Sequence, residues 1–464
     1  MGARIKFLGG VRTVTGSSHL VSTDRSEVLL DAGLFQGHRD AFYQVNSVLQ
    51  YNPRTVDALI ISHAHIDHCG NLPTLIKNGL RCKIYATSAT KDLCRLMLED
   101  SGKIQEEDVR YVNKINRRLG LPLRKPLYTM KEASNAVKKI RPVSYHQKLS
   151  VASDISASLF DAGHILGSAI VVMDIRIGKD TSRLGYAVDL GRKGLPMLND
   201  PAHLKNLDYL IIESTYGGRF HAPIEEAKTK LKDAINRTIS RKGKIMIPSF
   251  TLERTQEVIY FLNQLLKEKS IPSVPIYVDS PLATDITDTF QCHMDYMDKE
   301  TCQDIRSGNS PFEFLNLKYI RDQKESKALN DDHRPMIIIA GSGMCESGRI
   351  LHHLKNNISD SRNMVLVVGY MAENTLGRRI VERVPFVRIY GVEYQLNAEV
   401  VIINAFSGHA DRNDLLSFVD ECLPLKRIFL VHGDYVQSQA LFEALTQKGL
   451  NVYLPAKDEE VLLD

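Results

Sequence analysis

Ser62-His63-Ala64-His65-Ile66-Asp67-His68 follows the apolar run Val56 to Ile61 and sets four candidate metal ligands within six residues, just past a strand end. The pattern is H-x-H-x-D-H, and a chance match in a chain of this composition has a probability on the order of 1 in 1,000. Imidazole nitrogens and a carboxylate suit a borderline cation such as zinc. Four ligands on one short loop cannot wrap comfortably around one ion, so a site built here needs partners from elsewhere or divides into two. Three distant segments repeat the arrangement of a strand followed by a ligand. They are Leu159-Phe160-Asp161-Ala162-Gly163-His164, Tyr186-Ala187-Val188-Asp189-Leu190-Gly191 and Phe429-Leu430-Val431-His432-Gly433. Each is ordinary alone, and only the histidine loop lifts them.

Short apolar runs bounded by Gly, Asp or Asn recur at 5–8, 28–30, 58–61, 170–174, 210–212, 244–247, 336–339, 364–368, 400–403 and 427–431, and read as buried strands. Between them lie helical periodicities. In 251–267, Leu252, Val258, Ile259, Leu262, Leu265 and Leu266 share one face. Layered α/β architecture follows. The chain has 464 residues, enough for two domains, with average apolar and charged content for a folded protein. Net charge is only +4, so no general basic character announces a nucleic-acid partner. One segment departs from that balance: 101–150 carries twelve Lys or Arg against four Asp or Glu. It reads equally as solvated helices or as a phosphate-facing surface. Seven cysteines include no C-x-x-C pair, which fits a reducing compartment. No apolar stretch reaches the length of a membrane span or signal core, and the expected location is cytoplasmic.

Taken together, the histidine loop, Asp31 in Leu29-Leu30-Asp31-Ala32-Gly33, His164, Asp189 and His432 resemble the ordered metal motifs of the metallo-β-lactamase family. Ile212-Glu213-Ser214-Thr215-Tyr216-Gly217, Phe406-Ser407-Gly408-His409-Ala410-Asp411 and Val431-His432-Gly433-Asp434 resemble the three extra motifs of its β-CASP branch, which acts on nucleic acids. Three further segments resemble that branch: 248–257, Gly341-Ser342-Gly343-Met344 with 348–354, and 369–379. Histidine rather than valine at 432 resembles the RNA-acting members, and the likeness is nearest to prokaryotic relatives of the endonuclease subunit of messenger-RNA 3′-end cleavage. The resemblance implies an αββα sandwich at 1–213 and 397–464, interrupted by an α/β β-CASP domain at 214–396.

It also implies a set of roles. His63, His65 and His164 would bind one zinc, Asp67, His68 and His432 a second, and Asp189 would bridge them. Asp31 would orient a ligating histidine. Two such cations bring the pKa of a shared water toward neutrality and stabilise both oxygens of an in-line displacement. The leaving 3′-oxygen needs a proton, and His409 held by Glu213 is the expected donor, with Asp67 counted among the reacting residues. Gly341, Ser342 and Gly343 could present backbone N–H groups to a phosphate, although the segment lacks Walker and dinucleotide spacing. His352 and His353 read as surface or packing residues, and Cys69 as a buried thiol. The implied activity is zinc-dependent hydrolysis of single-stranded RNA in RNA processing or decay, endonucleolytic and open also to 5′-to-3′ exonucleolytic action. A small-molecule metallo-hydrolase on the same fold is the alternative, disfavoured by the insertion of about 180 residues and by the His409 and Glu213 motifs. A catalytically dead RNA-binding subunit is disfavoured by the complete ligand set. Zinc is preferred to manganese, and the sequence leaves the oligomeric state open, a homodimer included.

Overall fold

The computed structural model describes residues 2–37 and 39–463. The chain divides into two compact units, the first made of 1–194, 199–220 and 409–464, the second of 195–198 and 221–408.

Two seven-stranded sheets form the first unit. One runs in the order Glu460–Leu463, Ala3–Gly9, Ser18–Ser22, Glu27–Leu30, Ala58–Ile60, Lys83–Ala86 and Ile140–Pro142. The other runs Val452–Tyr453, Arg427–Val431, Tyr209–Glu213, Asp180–Ala187, Ala169–Ile177, Ile155–Asp161 and Leu149–Ser150. Side-chain alternation decides which residues meet between them. Phe7, Val28 and Leu30 from the first sheet share one core with Val171, Met173, Ile211 and Phe429 from the second. Leu210 and Ile212, pointing the opposite way from Ile211, pack instead with Leu415, Phe418, Leu441 and Leu445 of helices Arg412–Cys422 and Tyr435–Gln447. Helix Ser88–Leu119 lies against the first sheet at strand Ile140–Pro142. The result is the expected αββα sandwich. Each large side chain buried this way contributes on the order of 1.5–3 kcal/mol.

The second unit is built on a six-stranded parallel sheet, ordered Leu317–Tyr319, Ile276–Val278, Ile337–Ala340, Ile245–Pro248, Met364–Val367 and Glu399–Ile402. Such a sheet is covered on both faces, which explains its near-continuous apolar strands. The helix expected over 251–267 spans Arg254–Lys267, because 251–253 forms a turn in which Glu253 takes φ +69°. Every residue from Thr255 to Asn263 is buried, so the helix is wrapped on all sides rather than amphipathic.

The expected domain limits of 213/214 and 396/397 compare with 220/221 and 408/409 for the compact units. Residues 214–220 stay with the first unit because Thr215 Oγ donates to the His432 carbonyl at 3.0 Å and Gly218 N–H to Gln437 at 3.1 Å. Strand Glu399–Ile402 stays with the second because it pairs with Met364–Val367.

Candidate metal centre

The predicted ligands sit at one end of the sandwich because strand register brings them there. Strands Glu27–Leu30 and Ala58–Ile60 are parallel, with Leu30 opposite Ile60, so Asp31 and Ser62 leave adjacent strand ends. In the other sheet Ala187 lies opposite Ile212 and Glu213 opposite Val431. Asp189, Glu213 and His432 therefore emerge side by side at carboxyl strand ends, where open α/β sheets place ligands. Asp31, Asp189 and His432 all turn sharply there, with φ of 61°, 51° and 46°. A left-handed conformation costs a non-glycine residue roughly 1–2 kcal/mol, and such strain gathers at functional sites.

Two glycines let the loops close. A Cβ on Gly33 would lie 1.7 Å from the Asp67 carbonyl oxygen, and Asp67 O also accepts the Ser17 N–H at 2.8 Å. A Cβ on Gly191 would lie 1.9 Å from Gly163 O, while Gly191 N–H donates to Ala162 O at 2.8 Å and residue 191 bridges to His409. Three loops carrying His164, Asp189 and His409 are thereby laced together.

Two donor sets result, sharing Asp189 as their neighbour. In the first, His63 Nε2 lies 3.1 Å and His164 Nε2 3.3 Å from His65 Nδ1. Asp189 Oδ2 is 3.1 Å from His63 Nε2, 3.5 Å from His164 Nε2 and 3.9 Å from His65 Nδ1. In the second, His68 Nε2 and His432 Nε2 are 3.2 Å apart, and Asp67 Oδ2 lies 3.4 Å from His432 Nε2 and 3.9 Å from His68 Nε2. Asp189 Oδ1 faces His432 Nδ1 at 2.9 Å and His68 Nε2 at 3.5 Å, yet accepts no hydrogen bond although it is buried.

These residues fit a metal. Ligands about 2.0–2.1 Å from a tetrahedral zinc stand roughly 3.3–3.4 Å apart, close to the nitrogen separations observed. Burial and neighbouring imidazoles, against the pull of Asp189, bring His63 down to about 4, and burial with His409 brings His164 well below the ordinary value. Both then present lone pairs. Burial works against the protonation of His432, but Asp189 and Asp67 push it up to about 10, and Asp189 and Asp31 raise His68 against the same burial. The second set thus draws positive charge inward, which a divalent cation would supply from a single position.

Asp31 is fully buried and anchors the second set. Its Oδ1 accepts the Ser62 N–H at 2.7 Å. Its Oδ2 accepts the Ser62 hydroxyl at 2.7 Å, the Tyr186 hydroxyl at 2.8 Å and His68 Nδ1–H at 2.8 Å. The proton on Nδ1 leaves the Nε2 lone pair of His68 aimed at Asp67, Asp189 and His432. Sequence reasoning missed Ser62 and Tyr186. Ser62 was visible as the residue preceding the histidine loop, whereas Tyr186 carried no signal beyond a strand's alternation.

His409 Nδ1 lies 3.2 Å from both carboxylate oxygens of Glu213, whose side chain is fully buried while that of His409 is about one-fifth exposed. Burial lowers and Glu213 raises the His409 pKa, and the net shift is upward. The ring sits 4.4 Å from that of His164 between centroids, and Ala410 N–H donates to Leu190 O at 2.8 Å. Helix Arg412–Cys422 then begins behind an Asp411 and Asp414 capping box.

Gly341, Ser342 and Gly343 lie in the second unit, after strand Ile337–Ala340. Helix Arg349–Asn357 begins only at 349, and Ser342 Oγ already accepts the N–H groups of Glu346 and Ser347 at 3.0 and 3.2 Å. Of the three N–H groups expected to face phosphate, that of Ser342 donates within the loop to Ser347 O at 3.2 Å. His353 is fully buried on Asp279 at 2.7 Å, and Cys69 is buried.

The geometry is that of a candidate metallo-hydrolase centre, and similarity to known proteins identifies its family. Residues 20–208 match the metallo-β-lactamase superfamily domain, 255–380 the Beta-Casp domain, and 393–455 the Zn-dependent metallo-hydrolase RNA specificity domain. The chain is 36% identical to Ribonuclease TTHA0252 of Thermus thermophilus over 99% of both chains. It is 34% identical to Transcription termination factor FttA of Pyrococcus horikoshii over 93% of this chain and 66% of that protein. A crystal structure of a protein of unknown function from Enterococcus faecalis shares the fold, with a TM-score of 0.56 at 13% identity over the whole of both chains. The chain belongs to the β-CASP ribonuclease branch of the metallo-β-lactamase superfamily. No helix among the described residues is long and apolar enough to cross a membrane.

Proposed function

We propose that this protein is a cytoplasmic ribonuclease that cleaves single-stranded RNA internally, using two zinc ions held by seven of its own side chains. The observation that carries the reading is the pair of donor sets meeting at Asp189, with the His409 and Glu213 pair beside them. His63, His65 and His164 would hold one ion, Asp67, His68 and His432 the other, and Asp189 both. Bound there, the cations would lower the pKa of a shared water and neutralise charge on the phosphoryl oxygens.

The chain's own groups do the rest. Asp189 and Asp67 remain anionic and fix the imidazoles around them. Asp31 holds the His68 tautomer. Glu213 takes the Nδ1–H of His409 and so turns Nε2 away from itself. In that orientation Nε2 can deliver a proton to the departing 3′-oxygen, leaving a 3′-hydroxyl and a 5′-phosphate. Glu213 stabilises the protonated ring before delivery, as a buried carboxylate does.

The test is incubation of zinc-loaded protein and its His409→Ala variant with single-stranded RNA labelled at either end. Internal fragments from the wild type, with loss of most cleavage in a variant that keeps its zinc, support the reading. Mononucleotides released only from the 5′ end would replace internal cleavage with exonuclease action. Unchanged turnover in the variant would remove His409 from the proton-donor role.

A further inference from the structure

The 32-residue helix Ser88–Leu119 starts beside the loop that carries His164. Thr87 Oγ and Thr90 Oγ both donate to Gly167 O at 2.8 Å, three residues beyond the ligand candidate His164. At 1.5 Å per residue, Tyr111 lies about 30 Å further along the axis. The helix buries nothing after Val109. Its last turns form a lobe with the returning segment 121–125, pinned by Asn113 bonding the Arg124 backbone at both N–H and carbonyl, and by Asn116 donating to Pro122 O at 2.7 Å. All of 117–125 is exposed.

The lobe has one charge sign. Residues 109–131 hold seven Lys or Arg and no Asp or Glu, so with a whole-chain charge of +4 the remainder of the molecule sums to −3. Arg110, Lys114, Arg117, Arg118 and Lys125 make no ion pair among the described residues. Nearby Lys77, by contrast, pairs with Glu132. Folded surfaces normally intersperse the two signs. Among these cations stand exposed apolar side chains: Tyr111 at 62%, Leu119 at 65% and Leu123 at 54%. Unpaired cations with an exposed ring make the combination that tracks a single-stranded backbone and stacks its bases.

We propose that this lobe is a remote RNA-binding surface that holds the substrate strand some 30 Å from the metal centre, so that long RNAs are engaged at two places and short ones at one. The proposal rests on the ribonuclease reading above. A strand docked there meets seven phosphate-neutralising cations with no acidic residue among them.

The test compares a Lys114→Gln/Arg117→Gln/Arg118→Gln variant, and separately Tyr111→Ala, with the parent. Binding is read in the His409→Ala background on RNAs of about 40 and about 8 nucleotides, between 50 and 200 mM salt, and cleavage in the otherwise native enzyme. Each lost phosphate contact should flatten the log-log salt slope by about 0.7. The triple variant should bind the long RNA roughly tenfold more weakly, with a slope reduced by up to about 2, and cleave the short RNA at the parental rate. Tyr111→Ala should weaken long-RNA binding without changing the slope. Equal slopes and affinities overturn the proposal while parental cleavage leaves the ribonuclease reading standing. A parent that cleaves no RNA defeats that reading instead. Unchanged RNA binding with altered sedimentation would assign the lobe to a protein contact and likewise overturn it.

Discussion

Replacing Asp31 by Asn changes one atom and keeps a residue tolerant of the φ of 61° found there. Its consequence follows from the four hydrogen bonds the carboxylate accepts. If the amide nitrogen takes the place of Oδ2, the Ser62 and Tyr186 hydroxyls can rotate to accept, but His68 Nδ1–H then faces another donor at 2.8 Å. If the amide turns over, its nitrogen meets the Ser62 N–H at 2.7 Å instead. The first arrangement is relieved when the His68 proton moves to Nε2, which consumes the lone pair aimed at Asp67 and His432. Losing such an orienting partner typically weakens metal affinity 10- to 100-fold, or about 1.4–2.7 kcal/mol. The larger loss should fall on the ion of the second set, because Asp31 bonds His68 directly but reaches the first set only through the Ser62 hydroxyl, 3.0 Å from His63 Nδ1. Zinc competition against a chromophoric chelator would show two affinities in the wild type. In Asp31→Asn only one should fall by that factor, with the melting temperature of the metal-free protein nearly unchanged. Two unchanged affinities would refute the reasoning, and an equal loss at both would show that the sets are not separately anchored.

Other expectations follow from the same contacts. His409→Ala should retain both metals, measured by mass spectrometry, and lose cleavage by a factor on the order of 10² to 10⁴, the range for a removed general acid. Glu213→Gln should lower the rate without metal loss, and its pH profile should shift to lower pH because the carboxylate no longer favours protonated His409. Gly33→Ala drives a Cβ into the Asp67 carbonyl, so zinc content and thermal stability should both fall. Tyr186→Phe removes one of the four bonds to Asp31 and should destabilise the fold by about 1 kcal/mol, read from chemical denaturation.

Much of this was legible in the sequence for physical reasons. All ten apolar runs are strands; those buried on both faces, such as Ala58–Ile60 and Ile337–Ala340, have to be apolar throughout. Strand Asp180–Ala187 was read only at its end, because Asp180 and Thr181 are exposed and polar and continuous burial begins at Leu184. The ligand candidates were readable because metal chemistry restricts residue types at fixed spacing. Their support was not: Tyr186 serves Asp31 through a fold-dependent contact spanning 155 residues, and no local pattern encodes it. The expected domain limits differ from those of the compact units for a similar reason. Glu399–Ile402 reads as a strand in either unit, and only its pairing with Met364–Val367 decides. Local pattern likewise could not show that, beside the phosphate expectation at Gly341 to Gly343, the Ser342 hydroxyl accepts the N–H groups of Glu346 and Ser347.

The central claim is that both donor sets must be filled for RNA to be cut. Adding zinc stepwise to chelator-stripped protein and assaying internal cleavage of single-stranded RNA tests it directly. Little cleavage should follow the first equivalent, and activity should rise with the second to a plateau. Full activity without zinc, or complete at one equivalent, would contradict it.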